Sequence, residues 1–240
     1  FNRGNNYSYN NSLMNFDNFG LRTAYDWRVY GKFTQRFQNN EEGSTSKIKS
    51  AYYSLMVDYS QSHAKLEDAR HKDKLFNYGY VGKFQTFREI TYEPSAGGDS
   101  LVHNGFNDTL VVFTPSEVNQ PFAAQTSQYY NIYDGQVEGN YENLNQVSAG
   151  FGLRNGDQPQ EVYGIWENLG TPFNYFGFTQ EDQLRITGSG TINLNNHALS
   201  IGFEYEQRWD RSFNTGRLGP IGLWTIARQY TNSHITELDK

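Results

Sequence analysis

The chain of 240 residues has no cysteine, which excludes disulfides and thiolate metal sites. No stretch approaches about 18 consecutive apolar residues, so no helical membrane span is encoded. That absence leaves a membrane barrel open, because barrel strands alternate and never form such runs. Lys and Arg are scattered and the net charge is −6, so the basic stripe that a phosphate backbone requires is missing and no nucleic acid is expected as a partner. Aliphatic residues are few. Hydrophobic residues reach only 36%, and Tyr, Phe and Trp alone supply 16%. A soluble core of this size normally carries more Leu, Ile and Val, whereas outer-membrane barrels keep polar lumens and ring their interfaces with aromatics. No signal peptide precedes Phe1 and no Met opens the chain, so a processed or truncated chain is expected.

What is present is alternation. From Leu184 to Asp210, Leu184, Ile186, Gly188, Gly190, Ile192 and Leu194 share one face, and after Asn195-Asn196-His197 so do Leu199, Ile201, Phe203 and Tyr205. The opposite face takes Arg185, Thr187, Ser189, Thr191 and Asn193, then Ser200, Gly202, Glu204, Glu206, Arg208 and Asp210. Successive strand residues point to opposite faces, so this is a hairpin with an apolar side and a charged side. A second hairpin, 26–60, repeats the design. Trp27, Val29, Gly31, Phe33 and Phe37 oppose Arg28, Tyr30, Lys32, Thr34 and Arg36, and the return arm sets Ala51, Tyr53, Leu55, Val57 and Tyr59 against Tyr52, Ser54, Met56, Asp58 and Ser60. Either a protein core or lipid would accept the apolar side. Three cations on one face are costly against a core and comfortable in a wet lumen, which weighs toward lipid without excluding a core. Each arm runs about ten residues, enough to cross a bilayer at a tilt.

Between the hairpins, 61–183 reads as a long insertion. Gln61 to Lys74 is charged and turn-like, Tyr78–Thr86 and Asp108–Thr114 are candidate strands, and Pro121–Asn131 and Asn143–Ala149 are candidate helices, the latter closed by Gly150. Leu223, Ile226, Ala227 and Tyr230 give helical spacing inside the final segment, 211–240.

Chemistry-bearing motifs are weak. His63, His71, His103, His197 and His234 lack metal-ligand spacing, and no metal or cofactor is expected. Asn104–Asp108 and Asn155-Gly156-Asp157 fit Asx turns better than calcium loops. Gly188-Ser189-Gly190 lacks the glycine spacing of a nucleophile elbow. Glu204 and Glu206 share a strand face about 7 Å apart, but Arg185 and Arg208 beside them favour a charge network over glycoside hydrolysis. No enzyme motif stands behind this chain. The candidate functional residues are Arg28, Lys32, Arg36, Asp58, Glu204, Glu206, Arg208 and Asp210 on the polar face, placed to meet a plug or a solute. An aromatic set, Tyr129, Tyr130, Tyr133, Trp166, Tyr175 and Phe176, is a candidate extracellular ligand face, since such rings anchor sugars, peptides and protein partners.

Several blocks add a resemblance. SAYYSLMVDYSQSHAKLEDARHKDKLFNYGYVGKF (50–84) is similar to the early barrel region of TonB-dependent outer-membrane receptors, in the Oar-type branch with a carboxypeptidase-regulatory-like domain. Supporting blocks are FDNFGLRTAYDWRVYGKFTQRF (16–37), NLNQVSAGFGLRNGDQP (143–159), HALSIGFEYEQR (197–208) and LWTIARQYTNSHITELD (223–239). The resemblance implies an all-β fold, part of a transmembrane antiparallel barrel with long extracellular loops that carry short helices. Such receptors hold a plug inside a 22-stranded barrel, and four clear spanning strands cannot close one, so the chain is expected to be an internal piece without the plug. Implied partners are outer-membrane lipid, the plug and remaining barrel, TonB, and a solute or surface lipoprotein. Energised solute uptake is the implied function. Surface adhesion to protein or glycan is the alternative, and a soluble carbohydrate-binding module is a second. In this orientation Asn195–His197 is the short periplasmic turn and Trp209 marks the outer interface.

Overall fold

A computed structural model describes residues 1–5, 15, 18–38, 47–133, 141–159 and 172–234. It is mostly β, 57% strand against 16% helix, with antiparallel sheets. The strands are β1 (Asn2–Asn5), β2 (Gly20–Gln38), β3 (Ile48–Asp68), β4 (Gly82–Pro94), β5 (Leu101–Pro115), β6 (Gly177–Leu194) and β7 (His197–Asn214). The helices are α1 (Gln120–Tyr133), α2 (Leu144–Ala149) and α3 (Gly219–His234). Among the described residues no helix is long and apolar enough to cross a membrane, which is silent on β-barrels. The chain divides into two compact units. One comprises Phe1–Gly4, Arg22–Lys65 and Gly177–Phe213; the other comprises Asn5–Leu21, Leu66–Phe176 and Asn214–Lys240.

The first unit is built on a five-stranded sheet of order β1-β2-β3-β6-β7. Cross-strand partners advance in opposite directions along each pair: Arg28 with Asp58 and Gln35 with Tyr53; Gln61 with Asp182 and Ser50 with Asn193; Arg185 with Glu206 and Thr191 with Ser200. Those pairings fix one register in which side chains alternate between two faces. Both hairpins form as the alternation predicts, and β6 turns into β7 through Asn195-Asn196, where Asn195 takes the left-handed conformation (φ 42°) that Asn tolerates. The sheet stays open among the described residues. Its edge strand β7 is exposed along all 18 residues.

The strands outrun the sequence reading. β3 continues to Asp68, where 61–74 had looked like a turn. Gln61, His63 and Lys65 occupy the face that carries Tyr53, Leu55 and Val57 lower down, so the hydrophobic period vanishes while the backbone stays extended.

The second unit has two small cores. Val81, Phe122 and Leu153 pack with Phe113, and Val111, Tyr141 and Val147 pack with Phe84 and Leu144. β4 and β5 form an antiparallel hairpin from Gly82↔Pro115 to Pro94↔Leu101, longer than the expected strands 78–86 and 108–114. Irregularities at Phe87/Arg88 and Thr91/Tyr92 break its alternation, which hid the outer half from a period count. The expected helices form; α1 and α3 run longer than expected, and α2 begins one residue later than expected. Asn143 caps α2 by accepting from the Asn145 and Gln146 amides (both 3.1 Å), and Asn174 Oδ1 accepts from the Ile221 amide at 2.9 Å in the first turn of α3.

Candidate functional site

The polar face of the first unit gathers five of the predicted charged residues, Arg28, Asp58, Glu204, Glu206 and Arg208, into ion pairs. Arg28 Nε lies 2.6 Å from Asp58 Oδ2, joining β2 to β3. The Asp58 side chain is only 3% exposed, so the pair sits where neighbouring strands crowd the carboxylate. Across β6 and β7, Arg185 Nη2 reaches Glu206 Oε2 at 2.7 Å and its Nε lies 3.3 Å from Glu204 Oε1. Arg208 Nε then reaches Glu206 Oε1 at 2.6 Å. Glu206 therefore shares two guanidinium groups, and the pair Glu204/Glu206 serves as a charge network. Arg185 belongs to this network and was absent from the predicted set, although its position in the alternation already placed it there. Lys32 and Arg36 lie on the same face and are exposed, with no ion pair to another described residue. Asp210 joins Asp26, Arg28, Ser60, Glu181 and Arg208 around a concavity of about 590 Å³.

The apolar face is exposed on β2, β3 and β7, whereas on β6 Leu184 and Ile186 are half-buried and Ile192 is 37% exposed. Leu199, Ile201 and Phe203 on β7 are 59%, 75% and 60% exposed, and Val29 and Phe33 on β2 and Leu55 and Val57 on β3 join them. Aromatic rings bound this band at both ends. Near the hairpin turns, Phe33 and Phe37 sit 6.0 and 6.1 Å from Tyr53. At the other end Trp27 lies 5.2 Å from Tyr59, and Trp209 stands on the same face of β7. Immediately beyond Trp27 and Tyr59 the face turns polar. Asp182 accepts from Tyr59 Oη (2.9 Å) and Gln61 Nε2 (2.7 Å) through Oδ1 and from Gln180 Nε2 (3.0 Å) through Oδ2, while Trp27 Nε1 donates to Gln61 Oε1 at 3.0 Å. One step further, a row of rings crosses the sheet: Tyr25 to His63 at 5.0 Å, His63 to Phe178 at 6.4 Å, Phe178 to Phe213 at 6.3 Å. Neither the polar row nor this aromatic row was anticipated. Single-strand periodicity cannot find them, because each strand contributes only one member and register alone assembles them.

Of the predicted aromatic face, only Tyr175 and Phe176 have described side chains. Phe176 is buried, 6% exposed, and its backbone amide donates to Thr215 Oγ1 at 3.1 Å. It is a packing residue and leaves the ligand-face set, because a ring sealed from solvent offers nothing to a ligand. Tyr175 is half-buried and meets Phe173 edge-on at 6.3 Å. Tyr129, Tyr130 and Tyr133 fall at the end of α1, where their side chains lie outside the described residues, and Trp166 lies outside the described residues altogether.

The second unit holds a buried polar cluster of its own. His71 and Asn119 are bonded at 2.8 Å between Nε2 and Oδ1. Asn119 Nδ2 donates to the carbonyls of Asn77 and Tyr80, so Oδ1 is the acceptor and His71 carries its proton on Nε2. Burial holds the His71 pKa below its ordinary value of 6.5, against the pull of Asp68. The same desolvation pushes the Tyr78 hydroxyl up; it donates to the Lys72 carbonyl and accepts from the Asp68 amide.

No protein-family model matches the chain, and no curated protein matches it.

Proposed function

We propose that the five-stranded sheet is one sector of an outer-membrane β-barrel receptor of the TonB-dependent type, whose extracellular part captures a solute for energised uptake. The observation that carries this reading is the exposed apolar band on β2, β3 and β7, continued by half-buried Leu184 and Ile186 on β6, flanked by rings and backed by an ion-paired face. Soluble monomers rarely leave a contiguous apolar face of this kind in water; against lipid it is the required surface. The open edge at β7 supports a sheet continued by further strands, because an unpaired 18-residue edge is a template for pairing. In this reading Arg28, Lys32, Arg36, Asp58, Glu204, Glu206, Arg208 and Asp210 line the lumen, within reach of plug or solute. The partners are outer-membrane lipid, the plug and remaining barrel, and TonB.

In its native cells the protein should sediment with outer membranes and resist extraction by urea at high pH. Recovery in a soluble fraction without detergent would sink the barrel and favour a soluble carbohydrate-binding module. A second reading, surface adhesion to protein or glycan, draws on the separately packed cores of the second unit. Collapsing the proton-motive force separates the two. Uptake of the bound solute stops if the protein is an energised transporter, whereas binding to a surface partner is indifferent.

A further inference from the structure

Asparagine followed by glycine occurs twice in the chain, at Asn104-Gly105 and Asn155-Gly156, and the fold treats the two pairs in opposite ways. Such a pair carries its own chemistry. Glycine has no Cβ to hinder close approach, so its backbone nitrogen, once deprotonated, can attack Cγ of the preceding side-chain amide. A bond forms from that nitrogen to Cγ and closes a succinimide ring; the Cγ–Nδ2 bond breaks, and the amide nitrogen leaves as ammonia. Water then opens the ring at either carbonyl. One opening leaves aspartate, and the other leaves isoaspartate, in which the main chain runs through the side-chain carbon. The sum is one water consumed and one ammonia released.

At Asn155 both reacting groups are occupied. Its Oδ1 accepts from the Val81 and Gly82 amides at 2.7 and 3.2 Å, and its Nδ2 donates to the Gly82 carbonyl at 2.9 Å. The Gly156 nitrogen, the would-be nucleophile, donates to the Gly79 carbonyl at 2.8 Å, and Trp224 packs against Gly156. Ring closure would first have to break these bonds.

At Asn104 nothing comparable stands in the way. The residue is exposed on β5. His103 pairs with Tyr92 and Gly105 with Thr91, so Asn104 is the residue that the register skips. Among the described residues no hydrogen bond holds its side chain. Gly105 has φ 147°, and the nearest atom to a Cβ placed there is Thr91 Oγ1 at 3.7 Å, so the approach to this glycine is open. The same bulge absorbs the product. The extra main-chain carbon of isoaspartate enters where one residue already has no partner, far along the hairpin from the Phe84↔Phe113 pair that meets the cores.

We propose that Asn104 is a site of spontaneous modification in the folded protein, converted through a succinimide to isoaspartate and aspartate, while Asn155 is preserved by its hydrogen bonds. The outer half of the β4–β5 hairpin thereby gains a negative charge where Glu89, Glu93, Asp99 and Asp108 already outnumber Arg88. The site belongs to the second unit and stands whether or not the sheet of the first unit faces lipid.

The test holds the protein, purified from its native cells, in mildly alkaline buffer made with heavy-oxygen water, because hydroxide generates the attacking nitrogen. A parallel sample is unfolded in urea. Both are digested in ordinary water, so that only modification during the incubation carries label, and mapped by mass spectrometry with fragmentation that tells isoaspartate from aspartate. In the native protein Asn104 should take up label at least about tenfold faster than Asn155, as bonds that must break before reaction imply. In urea the two rates should converge, because neither pair is then held. Equal native rates, or a faster Asn155, overturn the proposal, as does an Asn104 that reacts in urea and stays intact in the native protein. Isoaspartate should exceed aspartate among the products at position 104; aspartate alone would mean direct hydrolysis of the side chain and overturns the ring step. Asn104→Gln requires a larger, slower-closing ring and should remove the native signal at this position while Asn155 in urea still reacts. Label gained at position 104 of that variant at an undiminished rate also overturns the proposal.

Discussion

Arg185 donates through Nη2 to Glu206 Oε2 at 2.7 Å, so β6 and β7 are bolted together on the polar face, while on the opposite face the apolar side chains of β7 stay exposed. Gly188 makes this possible from the other side. A Cβ there would run into the Phe203 ring, so its absence lets that ring lie across β6. One hairpin thus carries charge–charge adhesion on one surface and an unpartnered apolar surface on the other.

That division predicts opposite responses to substitution. Ile201→Arg places a cation at mid-height of the exposed band, where a barrel loses about 2–4 kcal/mol. Glu204→Ala removes a half-exposed carboxylate 3.3 Å from an Arg185 that keeps its closer partner, Glu206. Heat-modifiable migration in detergent gels should show Ile201→Arg failing to assemble and Glu204→Ala assembling normally. Equal tolerance of the two would remove lipid as the occupant of this face.

Within the polar face the two ion-pair groups should differ as well. Glu206 faces water with its two arginines, and exposed pairs of this kind are weak and salt-screened, so Glu206→Gln should shift the melting temperature by no more than about 2 °C. Asp58 is buried, and Arg28→Ala removes its direct ion-pair partner and leaves only the more distant Arg185, which costs about 1–2 kcal/mol. Thermal melts of both variants in the same detergent decide the order. A larger effect at Glu206 would mean that the network closes off from solvent in the assembled protein.

These contrasts were partly legible in the letters. Wherever one face is uniformly apolar, as from Trp27 to Phe33 or from Leu199 to Tyr205, a period of two is unmistakable and the hairpins emerge from it. Above Tyr59 the outward positions become Gln61, His63 and Lys65, the contrast between faces disappears, and the strand is invisible although its ladder continues to Asp68. The polar face could be enumerated residue by residue, yet which cation meets which anion depends on register between strands far apart in sequence, as with Arg28 and Asp58. Phe176 failed for a different reason. It sits just before β6, where nothing in the local sequence distinguishes a ring turned toward solvent from one turned into a core.

The second unit should be sensitive to acid through His71. Burial depresses its folded pKa below the unfolded value near 6.5, so the unfolded chain takes up the proton first. The sign follows: the stabilising contribution is complete above about pH 6.5 and is lost as pH falls through 6.5 toward the depressed folded value. Protection of the amides around Asn77 and Tyr80, which the His71–Asn119 pair holds in place, should fall between pH 7.5 and pH 5.5 in hydrogen exchange. His71→Gln keeps a donor toward Asn119 and should flatten that dependence. A pH response that persists in the variant would assign it to another group.

Asn155 and Gly156 give the sharpest test of the second unit's packing. Asn155 Oδ1 accepts from the amides of Val81 (2.7 Å) and Gly82 (3.2 Å), and its Nδ2 donates to the Gly82 carbonyl at 2.9 Å, so one side chain satisfies the backbone where β4 begins. Asn155→Ala strands those groups beside the fully buried Val81 and should cost about 1–3 kcal/mol. Gly156 sits at φ 90°, where a side chain is strained, and an added Cβ would strike Trp224 on α3. Trp224 in turn donates from Nε1 to the Phe76 carbonyl at 2.7 Å and stacks on Tyr80 at 5.7 Å. Gly156→Ala should therefore displace α3 while sparing the β4–β5 hairpin, whereas Asn155→Ala should loosen the start of β4 and leave Trp224 stacked. Tryptophan fluorescence with limited proteolysis separates the two outcomes. A Gly156→Ala protein with native Trp224 emission and an uncut α3 would show that this contact does not hold the helix.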